Sequence, residues 1–412
     1  MKKIIIDCRR VLDSGIGRVT EWFVQNVAEV LSQEYVVNYL VTPQTIEDYC
    51  LSVEDCLVIN HKPLSGGEMY LIPQLLIDNG CDLFISPQIN VSPFHLCKTI
   101  NMLHDLWYLS HPEFLPKVQD AQKRFGSSGD SYIKQVALWL NEDRAKYYLT
   151  EEGINLWHQA LTTRNPALLY TWSQLSLFSA FSSNIVCVTK DVEHKFRALF
   201  KRDFGITTIE NSMAETWFSD RQDNVEKEGF LCLAKLEERK NLIGLLNAYE
   251  LYCKQVENPH SLTIAGDYGY EQYAKKVLSK IEELNDKFGC KRIQYFRSAR
   301  TEQIHQLLGH AAMLIHPSLY ESFGYPPLEA MAAGIPVAAT KTGKMAGPLG
   351  ENAVLFDPNN VEMLASIMSD FTKQPQPFLE RAKKAKEALK RSIDNRQKVC
   401  FWKATIDRVL LP

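Results

Sequence analysis

The chain's 412 residues exceed what one hydrophobic core usually fills, and length alone favours two or three domains. With 45% hydrophobic residues, 23% charged residues and a formal net charge of −3, it is composed like an ordinary globular protein. It lacks the basicity that marks a nucleic-acid binder, so no nucleic-acid partner is expected. The start, MKKIIIDCRR, is too short in apolar residues for a secretory segment, and no window approaches a membrane span, so a cytoplasmic protein is expected. The ten cysteines form no CxxC pair, which argues against both zinc and a disulfide framework and reads as reduced, buried thiols.

Residues 2–7 read as a first buried parallel strand. Residues 17–32 carry Val19, Trp22, Phe23, Val27, Val30 and Leu31 at helical spacing. The loop between them, residues 9–18, sets Gly15 and Gly17 at the mouth of the helix, where backbone approaches a diphosphate closely. Such glycines also serve simple turn geometry. Further strands are expected near 35–41, 56–60, 82–86 and 99–103, the last running into His104-Asp105-Leu106. At a strand end His104 is either a structural imidazole or a ligand contact.

Residues 115–180 are rich in aromatics, and apolar positions from Tyr132 to Leu175 recur at helical intervals, so a helical excursion is expected. It is either a cap packed on its own domain or a surface for acceptor recognition or dimerisation. FGSSGD (125–130) is a hinge candidate and Asn165-Pro166 a helix break or start. A strand at 184–189 and an amphipathic helix near 190–201 precede a polar linker at 218–228. The next strand, 229–234, ends in Lys235-Leu236-Glu237-Glu238-Arg239-Lys240-Asn241; such cations are usually solvated surface, but at a strand's carboxyl end facing a nucleotide crevice they would hold a diphosphate.

Strands at 262–266, 292–296 and 314–316 then alternate with helices near 270–288 and 301–310, the pattern of a parallel sheet covered on both faces. Helices at 361–372 and 376–391 follow. Lys383, Lys384, Lys386, Lys390 and Arg391 make the second one basic, which reads as solvated surface or as weak attraction to an anionic membrane.

The most informative stretch runs from His316 to Asp357. Pro326 and Pro327 suit a first helical turn, Leu328 to Ala333 are helix formers, and Gly334 stands where a left-handed stop is wanted. Glu321 then hangs above the carboxyl end of a strand and Glu329 lies in the first turns of a helix. Both face the crevice where open parallel sheets bind ligands. Gly324 keeps backbone N–H groups approachable, and the helix start adds positive potential. Taken alone, the spacing also fits two solvated glutamates.

With its surroundings the segment SLYESFGYPPLEAMAAGIPV closely resembles the pattern SLYEGFGLPxLEAMAxGxPV of the retaining GT-B glycosyltransferases of family 4. Asp7-x-Arg9 followed by Gly15-Ile16-Gly17-Arg18 resembles the opening of their mannosyltransferase-like branch, and His104-Asp105-Leu106 a second landmark. The resemblance covers roughly residues 4–18, 85–110 and 184–372. It implies two Rossmann-like domains whose parallel sheets face a central cleft. These would be an N-terminal domain at 1–210 with a helical insertion at about 115–180, a nucleotide-sugar-binding domain at 211–392, and a helix at 393–412 crossing back.

Carried over by position, the resemblance implies a catalytic set of His104, Lys235, Lys240 and Glu321. It also implies a donor-binding set of Gly15, Gly17, Arg239, Phe323, Gly324, Tyr325, Leu328 and Glu329. Lys235 replaces the usual arginine, Ser322 a glycine, and Ala346-Gly347 a Pro-Glu pair. The implied reaction moves a sugar from a nucleoside-diphosphate sugar to a glycan or lipid-linked acceptor with retention, in cell-surface polysaccharide or glycolipid synthesis at the inner face of the membrane. No D-x-D motif is present, so neither metal nor other cofactor is expected. A nucleotide-sugar epimerase or phosphorylase of the same architecture, and a catalytically silent sugar-nucleotide binder, are the competing readings.

Overall fold

The computed structural model describes all residues except 11–14, 61–67, 90–91, 93, 115–137, 164, 219–228, 298–300, 322, 342–349, 394 and 412. The chain forms two compact units, Met1–Ala214 with Asp394–Pro412, and Glu215–Ile393.

The first unit holds β1 (Lys3–Asp7), β2 (Val36–Val41), β3 (Cys56–Val58), β4 (Leu83–Ser86), β5 (Lys98–Leu103), β6 (Asn184–Cys187) and β7 (Ile206–Thr208). They pair in the order β3-β2-β1-β4-β5-β6-β7, with every described pairing parallel. Continuous apolar runs such as Ile4-Ile5-Ile6 have both faces covered, as an all-parallel sheet demands. The strand order reverses between β1 and β4, and that is where a crevice opens at the carboxyl edge.

Three features of this unit differ from expectation. The first helix begins at Gly15, not Gly17, so both glycines belong to its first turn and not to the loop. Helices at Pro43–Asp48 and Glu68–Asp78 were not anticipated. Thr42 and Thr45 cap the first of these, Thr42 N–H donating to Thr45 Oγ1 at 3.0 Å, and Pro73 inside the second masks its helical character. Residues 166–181, expected inside an excursion, form the crossover between parallel strands β5 and β6. Leu168, Trp172, Leu175 and Phe178 of this helix pack with Leu103, Ile185 and Phe196 in one core. Helices at Glu142–Tyr148 and Glu151–Thr163 join that core through Ala145, Leu149, Trp157 and Ala160. The hinge candidate at 125–130 lies outside the described residues.

The second unit repeats the plan with β8 (Phe230–Leu233), β9 (Leu262–Ala265), β10 (Ile293–Phe296), β11 (Met313–His316), β12 (Val337–Thr340) and β13 (Val354–Phe356). The order is β10-β9-β8-β11-β12-β13, again parallel throughout the described pairs. Leu242, Leu245, Leu246, Tyr249 and Tyr252 form the buried face of helix Leu242–Gln255 and pack with Leu364, Met368 and Phe371 of helix Val361–Lys373. β7 and β13 are three-residue edge strands that the hydrophobic pattern did not announce.

Helix Asn395–Leu410 packs on the first unit. Trp402, 2% exposed, meets Phe23 edge-on with ring centroids 4.8 Å apart. Tyr35 Oη donates to Asp407 at 2.8 Å, and Ser212 Oγ donates to Asn395 Oδ1 at 2.6 Å. No helix among the described residues is long and apolar enough to cross a membrane. The cysteines are free, but Cys50, Cys290 and Cys400 are exposed, so uniform burial of the thiols does not hold. On helix Gln376–Ser392, Lys383, Lys384, Lys390 and Arg391 are exposed while Lys386 is partly covered, its stem near Gly334.

Removing the Trp402 side chain leaves a cavity against Phe23 that the sheet cannot collapse to fill. Trp402→Ala is expected to cost about 3–5 kcal/mol in urea unfolding followed by circular dichroism.

Candidate active site

In the second unit the order reverses between β8 and β11, and the loops that leave these two strands carry the charged side chains. After β8 a tight turn, Glu238–Lys240, ends at Asn241, whose backbone is left-handed at φ 52° and ψ 38°. Asparagine tolerates that conformation better than most residues. Its Nδ2 donates to Pro358 O at 2.9 Å, and Gly244 leaves room for it, since a Cβ there would stand 2.6 Å from Asn241 Oδ1. Helix Leu242–Gln255 therefore starts abruptly, which fixes the two cations just before it.

Arg239 ties this turn to the loop after β11. Its Nη1 donates to Tyr320 O at 2.7 Å, and its carbonyl accepts from Leu319 N–H at 2.8 Å. Glu321, 8% exposed, sits between the two loops. Lys240 Nζ donates to Oε1 in a short ion pair, and Arg239 Nη1 lies 3.1 Å from Oε2. From beneath, Ser318 Oγ donates to Oε1 at 3.1 Å and His316 Nε2 lies 3.3 Å away. Thr340 Oγ1 on β12 holds Ser318 O at 2.6 Å. His316 and Ser318 were not singled out from sequence, although a histidine closing a strand two residues before a serine and five before the glutamate was a usable signal.

Burial by itself would raise the Glu321 carboxyl, but Arg239 and Lys240 outweigh it and hold the group well below the usual carboxylate range. Lys240 is drawn below the ordinary lysine range by burial, against the pull of Glu321. Burial likewise lowers His316, and the neighbouring carboxylate only partly offsets it, so the imidazole is uncharged at neutral pH. Glu237, 3.7 Å from Arg239, balances the second cation. A diphosphate would compete with these carboxylates for the same donors, offering more oxygens in geometry that suits a guanidinium.

Gly324, at φ 79°, caps helix Tyr325–Ala332, and Phe323 and Tyr325 pack ring to ring at 4.8 Å. Leu328 and Glu329, 1% and 3% exposed, lie inside that helix, which turns Glu329 inward and not to solvent. Lys235 is exposed and makes no ion pair among the described residues, so it stands apart from the Arg239–Lys240–Glu321 cluster. Ser322, Ala346 and Gly347 lie outside the described residues.

In the first unit the corresponding edge carries a second polar network. Arg9 grips Asp7 with two bonds of 2.8 and 2.7 Å, and Gln88 Nε2 adds a third at 3.1 Å. Arg10 Nε donates to Gln88 Oε1 at 2.8 Å. His104 Nε2 donates to Pro87 O at 2.6 Å, and burial, aided by the nearby Arg10 charge, lowers its imidazole to about 4 despite that hydrogen bond. Gly15 is exposed at the helix start, while Gly17 is buried within the helix, not in the loop, with Tyr49 Oη 3.4 Å from its carbonyl. Asp7, Arg10 and Gln88 were not among the site candidates. The run Asp7-Cys8-Arg9-Arg10 directly after an apolar strand was the available signal.

Residues 213–391 match the family model for glycosyl transferases group 1. This part of the chain is similar to the domain of that group. Over 136 residues the chain is 32% identical to the O-antigen chain mannosyltransferase B of Escherichia coli, a match covering 33% of this chain and 34% of that protein. Over 143 residues it is 28% identical to the Escherichia coli serotype-specific mannosyltransferase WbdA, covering 34% of this chain and 17% of the relative. The match thus spans about a third or less of these curated relatives' own length. The whole chain superimposes on Anabaena Alr3699/HepE, solved with UDP and glucose, at a TM-score of 0.66 and 16% identity, over 99% of this chain and all of that one. Sucrose-phosphate synthase from Thermosynechococcus elongatus gives 0.64 and 13%, over 100% and 99%. These structural likenesses establish the fold, which is GT-B: two Rossmann-like domains.

Two outcomes are expected for the second unit. Lys240→Met leaves Glu321 buried with one cation fewer and is expected to cost roughly 3 kcal/mol, whereas the double variant with Glu321→Gln recovers much of it in a double-mutant cycle. Because the folded Glu321 carboxyl lies below the ordinary value of 4.5, its contribution to stability is present above that pH and lost as acid titrates the folded group. The stability gap between the parent and Glu321→Gln should therefore hold from about pH 8 to 5 and close at lower pH in urea titrations.

Proposed function

We propose that the protein is a retaining glycosyltransferase that moves a sugar from a nucleoside-diphosphate sugar to a hydroxyl of a glycan or lipid-linked acceptor, in the building of a cell-surface polysaccharide. The observation that carries this reading is the pairing of Arg239 and Lys240 on Glu321, at the strand reversal of the domain matched to group 1 glycosyltransferases. The named relatives are mannosyltransferases, which supports a mannosyl donor as the first to try. The structural neighbour solved with UDP-glucose supports the nucleotide-sugar class.

In this proposal the difficult event is departure of the diphosphate from the anomeric carbon. Arg239 and Lys240 leave Glu321 for the phosphate oxygens and offset the charge that grows there, so no metal is called on for that task. Glu321, relieved of part of its pairing, accepts hydrogen bonds from the sugar hydroxyls. Glu329 is assigned to the ribose hydroxyls, reached from the helix that Gly324 opens. The acceptor oxygen attacks from the face the diphosphate leaves, and its proton passes to the departing phosphate oxygen, so the anomeric configuration is kept.

The test is a thermal-shift screen over UDP-, GDP-, ADP- and dTDP-sugars, followed by transfer assays with the donor that binds. A ligand at a hundred times its Kd should stabilise the native state by about 2.7 kcal/mol. Lys240→Ala should then lower the transfer rate by about 10²–10³-fold, and NMR of the product should show an α linkage from an α-linked donor. If no sugar nucleotide stabilises the protein, the reading fails. Turnover of donor without added acceptor to a sugar epimer would favour the epimerase.

A further inference from the structure

The proposed chemistry gives tasks to Arg239, Lys240 and Glu321 and leaves His316 without one. Yet its side chain is wholly buried at the end of β11, with Nε2 3.3 Å from Glu321 Oε1 and 3.1 Å from Ser318 Oγ. An ionised carboxylate only accepts, so Ser318 Oγ–H donates to Oε1 and the serine lone pairs are left to accept. Nε2 therefore carries a hydrogen, shared between Ser318 and Glu321. Nδ1 is buried with no hydrogen-bond partner among the described residues. A bare lone pair at that position is tolerable, whereas a cationic ring would bury an N–H with nothing to accept it.

We propose that His316 is a positioning residue for Glu321: its Nε2–H, together with Ser318, pins the carboxylate to the strand so that Glu321 stays in place when Lys240 and Arg239 turn to a diphosphate. The inference deepens the donor-binding reading above and rests on it. Lys240 and Arg239 both come from the loop after β8, whereas His316 and Ser318 belong to β11 and the segment that leaves it. Held from both sides, the carboxylate is fixed whichever way the cations point. Held by the cations alone, it would follow Lys240 and compete with a phosphate for it. The charged groups that face the ring are Glu321 on its own loop and Lys240 and Arg239 from the other, with Glu237 behind Arg239. Burial dominates all of them and keeps the ring neutral, so the tether is a hydrogen bond rather than an ion pair.

Two measurements test this, and the first is independent of transferase activity. In the full chain labelled with ¹⁵N-histidine, the His316 signal, assigned by its loss in His316→Gln, is expected to show hydrogen on Nε2 only. It should remain that of a neutral ring at neutral pH and should shift in Glu321→Gln. An imidazolium, an Nδ1–H tautomer, or a signal indifferent to Glu321→Gln overturns the proposal. The second is calorimetric binding of UDP and of GDP. For the diphosphate that the parent binds, His316→Leu should weaken affinity about tenfold, the worth of one hydrogen bond to a charged group, and His316→Gln, which restores an N–H near the Nε2 position, should recover most of it. Equal affinities in folded His316→Leu and parent protein also overturn it. If the parent binds neither diphosphate, the donor-binding reading fails, and the His316 tether is then decided by the tautomer alone.

Discussion

A carboxylate removed from water must be surrounded by donors or it takes up a proton, and Glu321 is surrounded on every side the structure describes. Two cations approach from one loop, a hydroxyl and an imidazole from its own strand end, and no oxygen of the carboxylate is left to a weak partner. The consequence reaches beyond one residue. Because Arg239 also holds the backbone of the neighbouring loop through Tyr320 and Leu319, the same cluster that balances the charge joins the ends of β8 and β11. Loosening any member loosens the edge of the sheet on which a ligand would rest.

That arrangement depends in turn on strand order. In a parallel sheet all carboxyl ends lie along one edge, and crossovers on opposite faces diverge only where the order reverses. The second unit reverses between β8 and β11, and the first between β1 and β4. In each unit the reversal is where charged and polar side chains collect, as Arg239, Lys240 and Glu321 in one and Asp7, Arg9 and Gln88 in the other. The two networks differ in composition. In the first unit a bidentate Arg9–Asp7 pair is joined by the Gln88 amide, whereas in the second the cations are shared among carboxylates in a way that a phosphate could take over.

Rigid placement comes from small local devices. Asn241 stops the turn in a left-handed conformation, Gly244 makes room for its side chain, and Gly324 opens helix Tyr325–Ala332 at a positive φ. None of these residues carries charge, yet each decides where a charged neighbour points. Thr340 does the same from β12 by holding Ser318 O.

Much of this was legible in the sequence by itself. The alternation of apolar runs with amphipathic stretches announced two parallel-sheet units, because strands buried on both faces must be continuously apolar. The proline pair and Gly334 bounded the helix that bears Glu329, because proline and glycine restrict backbone angles wherever they stand. The motif from Ser318 to Val337 pointed to the residues around Glu321. Several matters belonged to the tertiary structure alone. Helix Pro166–Phe181 proved to be the β5-to-β6 crossover, a fact that follows from strand pairing and not from its own pattern. Lys235 and Lys240, alike in sequence, separated into an exposed cation and a largely covered one paired with Glu321. His316 read as the last residue of a strand, and only the fold brought its ring beneath Glu321, since contact across a loop is set by backbone path and not by distance along the chain.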